Sequence, residues 1–471
     1  MVGLGEQKCL SFKRDNMSSP TDVPDKISNL AQKTGWARPD KIQDAILYSG
    51  VALIALFPVV YFNALLSRLF WFGDDFAFIS DIRQLGFSSW FPSPFGENFL
   101  PLFKGYWSAI FFLGGGSAAL AIEANWVLHA FNTVLLARLL RLMRFSRLAS
   151  ATGAAMFAIA AANVEVLTWS MGGSTILACT FLLLAMVSHV TPKISPGVKT
   201  FRTFGWIVAG TLSHARGVIA GPALAATEFF GDAKEVKTGA RLFRSALLVL
   251  PSVAVGTTIF LLAPDNHQQV LGSGNLLLRA GRFGFWYIAA NPFVPLLAAN
   301  GRSWTCFALS TSSVLALGVL KFAIMFAAWK GTRGPRRAAV IALIVAELCT
   351  AALLGLGRSE GEPPLAMSSR YQYGSLICTI PLVLAAIEAV GEKWSVFRKF
   401  SKPILGALLA AGILWNIALW QDLLPPWVRW RGEGTRKILS ATSRPEGRDL
   451  PGADFLTNDE ARSLVKRYDL H

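Results

Sequence analysis

The feature that most constrains this chain is a series of apolar segments, punctuated by short clusters of Lys and Arg. A helix needs about 20 apolar residues to cross the hydrocarbon layer. Residues 44–66, 119–142, 174–191, 243–263, 305–329, 338–356 and 371–390 all come near that length. Composition agrees: 53% of residues are hydrophobic and 16% charged, whereas soluble domains carry about a quarter charged residues. The chain therefore reads as an all-α polytopic membrane protein.

The formal net charge is +16. In a soluble protein this would suggest nucleic acid, but here the Lys and Arg gather in short loops, where they orient helices against anionic headgroups. The partner implied is the lipid bilayer, and nucleic acid is set aside. Cys9, Cys179, Cys306, Cys349 and Cys378 form no CxxC pair, so neither a disulfide framework nor a zinc site is indicated. The five His show no HxH or HxxxH spacing, and no metal or cofactor is expected.

The basic clusters give a topology. Residues 1–43 form a polar cytoplasmic tail, expected to be disordered to about Asp25, and the first apolar helix then acts as an uncleaved signal anchor. Four arginines within ten residues, Arg138, Arg141, Arg144 and Arg147, mark the inner end of the second span. Spans three and four, near 148–169 and 174–191, meet outside. Residues 203–230 must be two short helices turning outside at Ser213-His214-Ala-Arg216-Gly217, because basic clusters flank them on both sides. Non-helical backbone at that depth requires a cavity or enclosing protein. Residues 264–304 read as an outer loop with amphipathic or re-entrant helices.

Spans near 305–329, 338–356, 371–390 and 403–421 complete a total of about eleven. A membrane domain thus covers 44–421, with a long first outer loop at 67–118, where Trp71, Trp90, Tyr106 and Trp107 form an interfacial aromatic belt. An extracytoplasmic tail, 422–471, carries a short helix that opens with a Thr457–Glu460 capping box. The N-terminus lies inside and the C-terminus outside the plasma (inner) membrane.

This topology brings Asp74, Asp75, Asp81, Glu97, Lys104, Glu165, His214, Arg216, Arg358, Arg370 and Tyr371 to one outer face. Span interiors read as nearly charge-free, with Glu123 and Glu347 near span ends. A proton relay would instead scatter charges at mid-depth. The chemistry permitted is deprotonation of an acceptor hydroxyl by a carboxylate, with cationic side chains holding a phosphate leaving group. Plainer readings stand beside these. Asp74 and Asp75 suit the start of an interfacial helix, Glu97 and Lys104 suit ordinary loop charges, and Arg216 and Arg370 suit snorkelling to headgroups. His129, mid-span beside Asn132, reads as a packing residue.

The motifs in order resemble the integral-membrane glycosyltransferases of the GT-C superfamily, above all protein O-mannosyltransferases and bacterial enzymes using polyprenyl-phosphate sugars. Gly73-Asp74-Asp75-Phe-Ala-Phe78 is similar to the acidic first-loop motif, and Asn98-Phe-Leu-Pro101-Leu102 to the element that follows it. Asn125-Trp-Val-Leu-His129, Ala162-Asn163-Val-Glu165-Val-Leu-Thr-Trp169 and Ser369-Arg370-Tyr371 resemble later segments. Leu100, Ala160 and Asn163 depart from the family pattern.

The resemblance implies inverting sugar transfer from a polyprenyl-phosphate donor to a glycan, lipid or protein hydroxyl of the cell envelope. Asp74 or Asp75 would be the base. Donor phosphate would fall to Arg216, His214, Arg370 and Tyr371, and acceptor orientation to Glu165, Glu97, Trp169 and Lys104. The alternatives are a transporter or flippase of a lipid-linked sugar, and an O-antigen-type ligase or polymerase using diphosphate donors.

Overall fold

The computed structural model describes residues 39–96, 98–192, 194–230, 237–262, 275–293, 310–358, 363–393, 395–440 and 457–470. Met1–Leu47 clusters as one unit and Tyr48–His471 as another; apart from residues 39–47, the features below belong to the second. Secondary structure among the described residues is helical, apart from one isolated bridge between Phe95 and Asn98.

The helices are α1 (Pro39–Tyr61), α2 (Asn63–Leu66), α3 (Asp74–Trp90), α4 (Pro101–Leu113), α5 (Ala118–Leu142), α6 (Arg147–Ala158), α7 (Val164–Leu167), α8 (Gly172–Val190) and α9 (Pro196–Thr211). They continue with α10 (Ala220–Phe230), α11 (Thr238–Leu262), α12 (Leu276–Ala290), α13 (Thr311–Lys330), α14 (Gly334–Gly357), α15 (Ser369–Lys393), α16 (Ser395–Val428), α17 (Gly434–Ser440) and α18 (Asn458–Tyr468).

Local chemistry sets many starts. Ser117, Ser146 and Ser310 accept hydrogen bonds from N–H groups of the first turns of α5, α6 and α13, which satisfies otherwise orphaned donors. Pro101 and Pro196 open α4 and α9, where a missing N–H costs nothing. The capping box at Thr457 and Glu460 forms as expected from the sequence.

Seven described helices are long and apolar enough to cross a membrane, or eight if the pair Arg147–Ala158 and Ala161–Leu167, bent by 43°, counts as one span. The other three expected crossings fall on α9 and α10, whose 16 and 11 residues are short for a span, and on α16. The last is a 34-residue helix that runs past the expected end at 421.

Two expectations are corrected. Trp71, Trp90 and Trp107 are buried inside the protein rather than forming a lipid-facing belt. They build a second core around α3 and α4 with Phe76, Phe78, Phe103 and Phe111. Large rings in offset contact bury much area, and two of the three indole N–H groups are satisfied internally: Trp71 Nε1 donates to Gly116 O and Trp107 Nε1 to Ser170 Oγ, both at 2.9 Å. Nor are the span interiors charge-free. Lys321 in α13 and Glu347 in α14 pair at 2.9 Å, both fully buried. Lys321 Nζ also donates to Asn291 O and Thr379 Oγ1, and Ser375 and Tyr287 hydroxyls donate to Glu347.

Candidate active site

Gly73 precedes α3 with φ of 57°, a left-handed conformation that glycine adopts without a Cβ penalty. It turns the chain so that Asp74 and Asp75 fall in the first turn, where the helix dipole favours negative charge. Neighbouring helical residues project about 100° apart, and the two acids meet different surroundings. Asp74 lines a cavity of about 540 Å³. Asp75 faces inward, 1% exposed. Its Oδ1 accepts from Ser170 Oγ at 2.5 Å and its Oδ2 from Phe72 N–H at 3.0 Å. Ser170 is itself held by Trp107 Nε1 at 2.9 Å. Burial, against these two donors, pushes the Asp75 carboxyl up to about 7.

His214, Arg216, Arg358, Arg370 and Tyr371 line the same cavity as Asp74. The break between α9 and α10 supplies two of them. His214 caps the short 3₁₀ turn Ala215–Ile219, its Nδ1 accepting from Arg216 N–H at 3.0 Å. Nδ1 is therefore the acceptor nitrogen, which leaves the proton on Nε2. Burial, then Arg216 and Arg358, hold His214 down to about 3, so it is neutral near pH 7.

Arg216 is 6% exposed, and its Nη1 has no hydrogen-bond partner among the described residues. A buried guanidinium donor left open is costly and suits an anion. Arg358 follows the last turn of α14, and Arg370 and Tyr371 sit in the first turn of α15. Another part of the wall is apolar, with Val218, Ile259, Leu276, Leu353, Leu354 and Leu356. The volume falls within the range of small-molecule sites.

Of the other expected site residues, Trp169 lines the cavity, and its Nε1 donates to Phe72 O at 3.1 Å. Glu165 lies behind the wall. Its Oε2 accepts from Arg370 N–H at 3.2 Å, at the start of α15, and its Oε1 lies 3.8 Å from Arg431. Lys104 is fully buried away from the cavity. Its Nζ donates to Trp90 O, Ser93 O and Ser93 Oγ at 2.6, 2.8 and 2.9 Å. It closes the carbonyl end of α3 and fastens the loop that carries Phe95 and Asn98 to the cavity. Burial draws its ammonium down to about 8. Glu97 lies outside the described residues.

Sequence reasoning missed two side chains here. Asn98, quoted only as part of a motif, lines the cavity and accepts from Ala215 N–H at 3.3 Å, tying the first loop to the broken helix. Arg431, in a stretch read as tail, is 3% exposed; the only trace in sequence was its place beside Trp427 and Trp430. Among the described residues no group of three or more His, Cys, Asp and Glu converges to hold a metal ion.

No family model matches the chain, and no curated protein matches it. Among solved structures the chain is similar to archaeal oligosaccharyltransferase AglB from Archaeoglobus fulgidus in complex with an inhibitory peptide and a dolichol-phosphate. Identity is 14% and the TM-score 0.47, over 90% of this chain and 61% of that one. It is similar also to the apo crystal structure of the oligosaccharyltransferase from Archaeoglobus fulgidus, at 13% identity and a TM-score of 0.47, over 88% of this chain and 60% of that one. The chain thus spans about three-fifths of the length of both.

Proposed function

We propose that the protein is a membrane glycosyltransferase that moves a sugar from a polyprenyl-phosphate donor to a hydroxyl of a cell-envelope glycan, lipid or protein. The observation that carries this reading is the two-sided cavity. One carboxylate, three arginines and a neutral histidine line one space, which also has an apolar wall from α11, α12 and α14.

The polar half suits a phosphodiester and the apolar half the first isoprene units. In the reaction, Asp74 takes the proton of the acceptor hydroxyl as its oxygen attacks the anomeric carbon. The bond from that carbon to the phosphate oxygen breaks, and the configuration inverts. Negative charge gathers on the departing polyprenyl phosphate, where Arg216, Arg358 and Arg370 stabilise it and His214 Nε2–H donates to it. Asn98 and Trp169 flank the acceptor side, and the site opens to the extracytoplasmic face. Asp75 supports the turn that aims Asp74. Glu165 and Lys104 hold walls rather than acceptor.

The test is sugar transfer by the purified chain in lipid, with polyprenyl mono- and diphosphate hexose and pentose donors. Asp74→Asn is expected to lower turnover by about 10²–10⁴-fold, as loss of a general base does. Asp75→Asn should keep most of its turnover per folded molecule. An Asp74→Asn variant with wild-type turnover would sink the mechanism. Preference for diphosphate donors would point to the ligase or polymerase reading, and transbilayer movement of labelled lipid without transfer to a flippase.

A further inference from the structure

We infer that Arg431 is a positioning residue of this site, holding the turn before Asp74 and the start of the Arg370 helix in one register from the segment that follows α16; the inference rests on the reading above.

Arg431 sits in a π-helical turn, Arg429–Glu433, directly after α16. Its guanidinium carbon lies 4.0 Å from the centre of the Phe72 ring, 4.2 Å from Trp427, 5.1 Å from Trp169 and 5.8 Å from Trp430. Four ring faces around one planar cation are a strong fixing device when water is excluded. Two of those rings belong to the site. Phe72 is two residues before Asp74, and its backbone is pinned by Asp75 and Trp169. Trp169 lines the cavity itself.

The polar contact points the same way. Glu165 bridges Arg431 and the N–H of Arg370. One guanidinium thereby touches the turn before the base on α3 and, through Glu165, the backbone of the arginine on α15 expected to hold phosphate. Its Nε and Nη1 have no hydrogen-bond partner among the described residues, so π faces and nearby carboxylates balance its burial. Burial lowers it only to about 10, so it remains cationic near neutral pH, with Glu165, Asp75, Arg370 and Asp74 as the charged groups that face it. A buried cation favours the ionised form of a carboxylate beside it, and Arg431 acts in that direction on Asp75.

The experiment uses the purified full chain in lipid with a polyprenyl-phosphate hexose or pentose donor, comparing wild type, Arg431→Met, Arg431→Lys and Asp74→Asn. Arg431→Met is expected to lower kcat about tenfold or more with the donor KM nearly unchanged, since misplacement rather than lost contact is at issue. The acid limb of its pH profile should move up by about one pH unit, because a cation beside the carboxylates is gone. Arg431→Lys should restore the acid limb yet stay several-fold low in kcat, because an ammonium cannot stack as a plane.

An Arg431→Met variant with the wild-type kcat and acid limb overturns the inference. If that variant does not fold, Arg431→Lys at full kcat overturns it. Asp74→Asn separates the two ideas. Full activity there removes the reading of the site, whereas an inactive Asp74→Asn beside wild-type-like Arg431 variants removes only the role of Arg431.

Discussion

Asp74 and Asp75 are one dipeptide with two fates, and the difference is helix rotation. Asp74 turns to the cavity, while Asp75 is sealed against Ser170 and the Phe72 N–H. Because burial raises Asp75 from 3.8 to about 7, the folded protein keeps a proton that the unfolded chain has released between those pH values. Its stabilising effect is complete below about pH 4 and is lost as pH rises through about 7. The thermal midpoint of the wild type should therefore fall across pH 4–7 more steeply than that of Asp75→Asn. Melting curves in detergent across that range decide it, and parallel slopes would reject it. Asp75→Asn should also cost about 1–3 kcal/mol near neutral pH, since its amide meets one of two donors head-on. The sequence marked the acidic pair but not the choice between its members, because Ser170 is 95 residues away from Asp75. Lys104 shows the same limit. It read either as a loop charge or as an acceptor-orienting residue, yet its partners are mostly backbone carbonyls of Trp90 and Ser93, which no residue type announces.

The break between α9 and α10 is the element on which the cavity depends. It was legible as a break because basic clusters on both sides demanded an even number of crossings. How tightly it folds back was not legible. A Cβ on Gly217 would lie 2.0 Å from Gly210 O, whereas one on Gly374 would meet the side-chain end of Arg216 at 3.2 Å. A graded pair of outcomes follows. Gly217→Ala must push backbone apart, and should lower the thermal midpoint and weaken binding of a polyprenyl phosphate together. Gly374→Ala needs only a shift of a few tenths of an ångström in the guanidinium, so it should weaken that binding with little loss of stability. Native mass spectrometry with undecaprenyl phosphate, alongside melting curves, reads both effects. Equal stability losses for the two variants would contradict the close approach at Gly217.

At the scale of the whole molecule, the buried pair of Lys321 and Glu347 joins α13 and α14 to α15 through Thr379 and Ser375, and to the end of α12 through Asn291. It escaped the sequence reading because a lone Lys in an apolar run and a Glu 26 residues later become a pair only when their helices pack. A mid-depth pair is what a transport pathway would use, but here each charge is enclosed by partners from three other elements. It lies one helical turn from Thr350, which lines the cavity. That placement makes it a bolt beneath the site rather than part of the chemistry. Lys321→Met leaves Glu347 buried without its cation and should cost about 3–5 kcal/mol, whereas Lys321→Met with Glu347→Gln removes both charges and should recover most of that loss. A double-mutant cycle of melting curves measures the coupling. Turnover per folded molecule should stay near wild type in the double variant. Loss of transfer in a double variant that melts normally would move the pair from scaffold to mechanism.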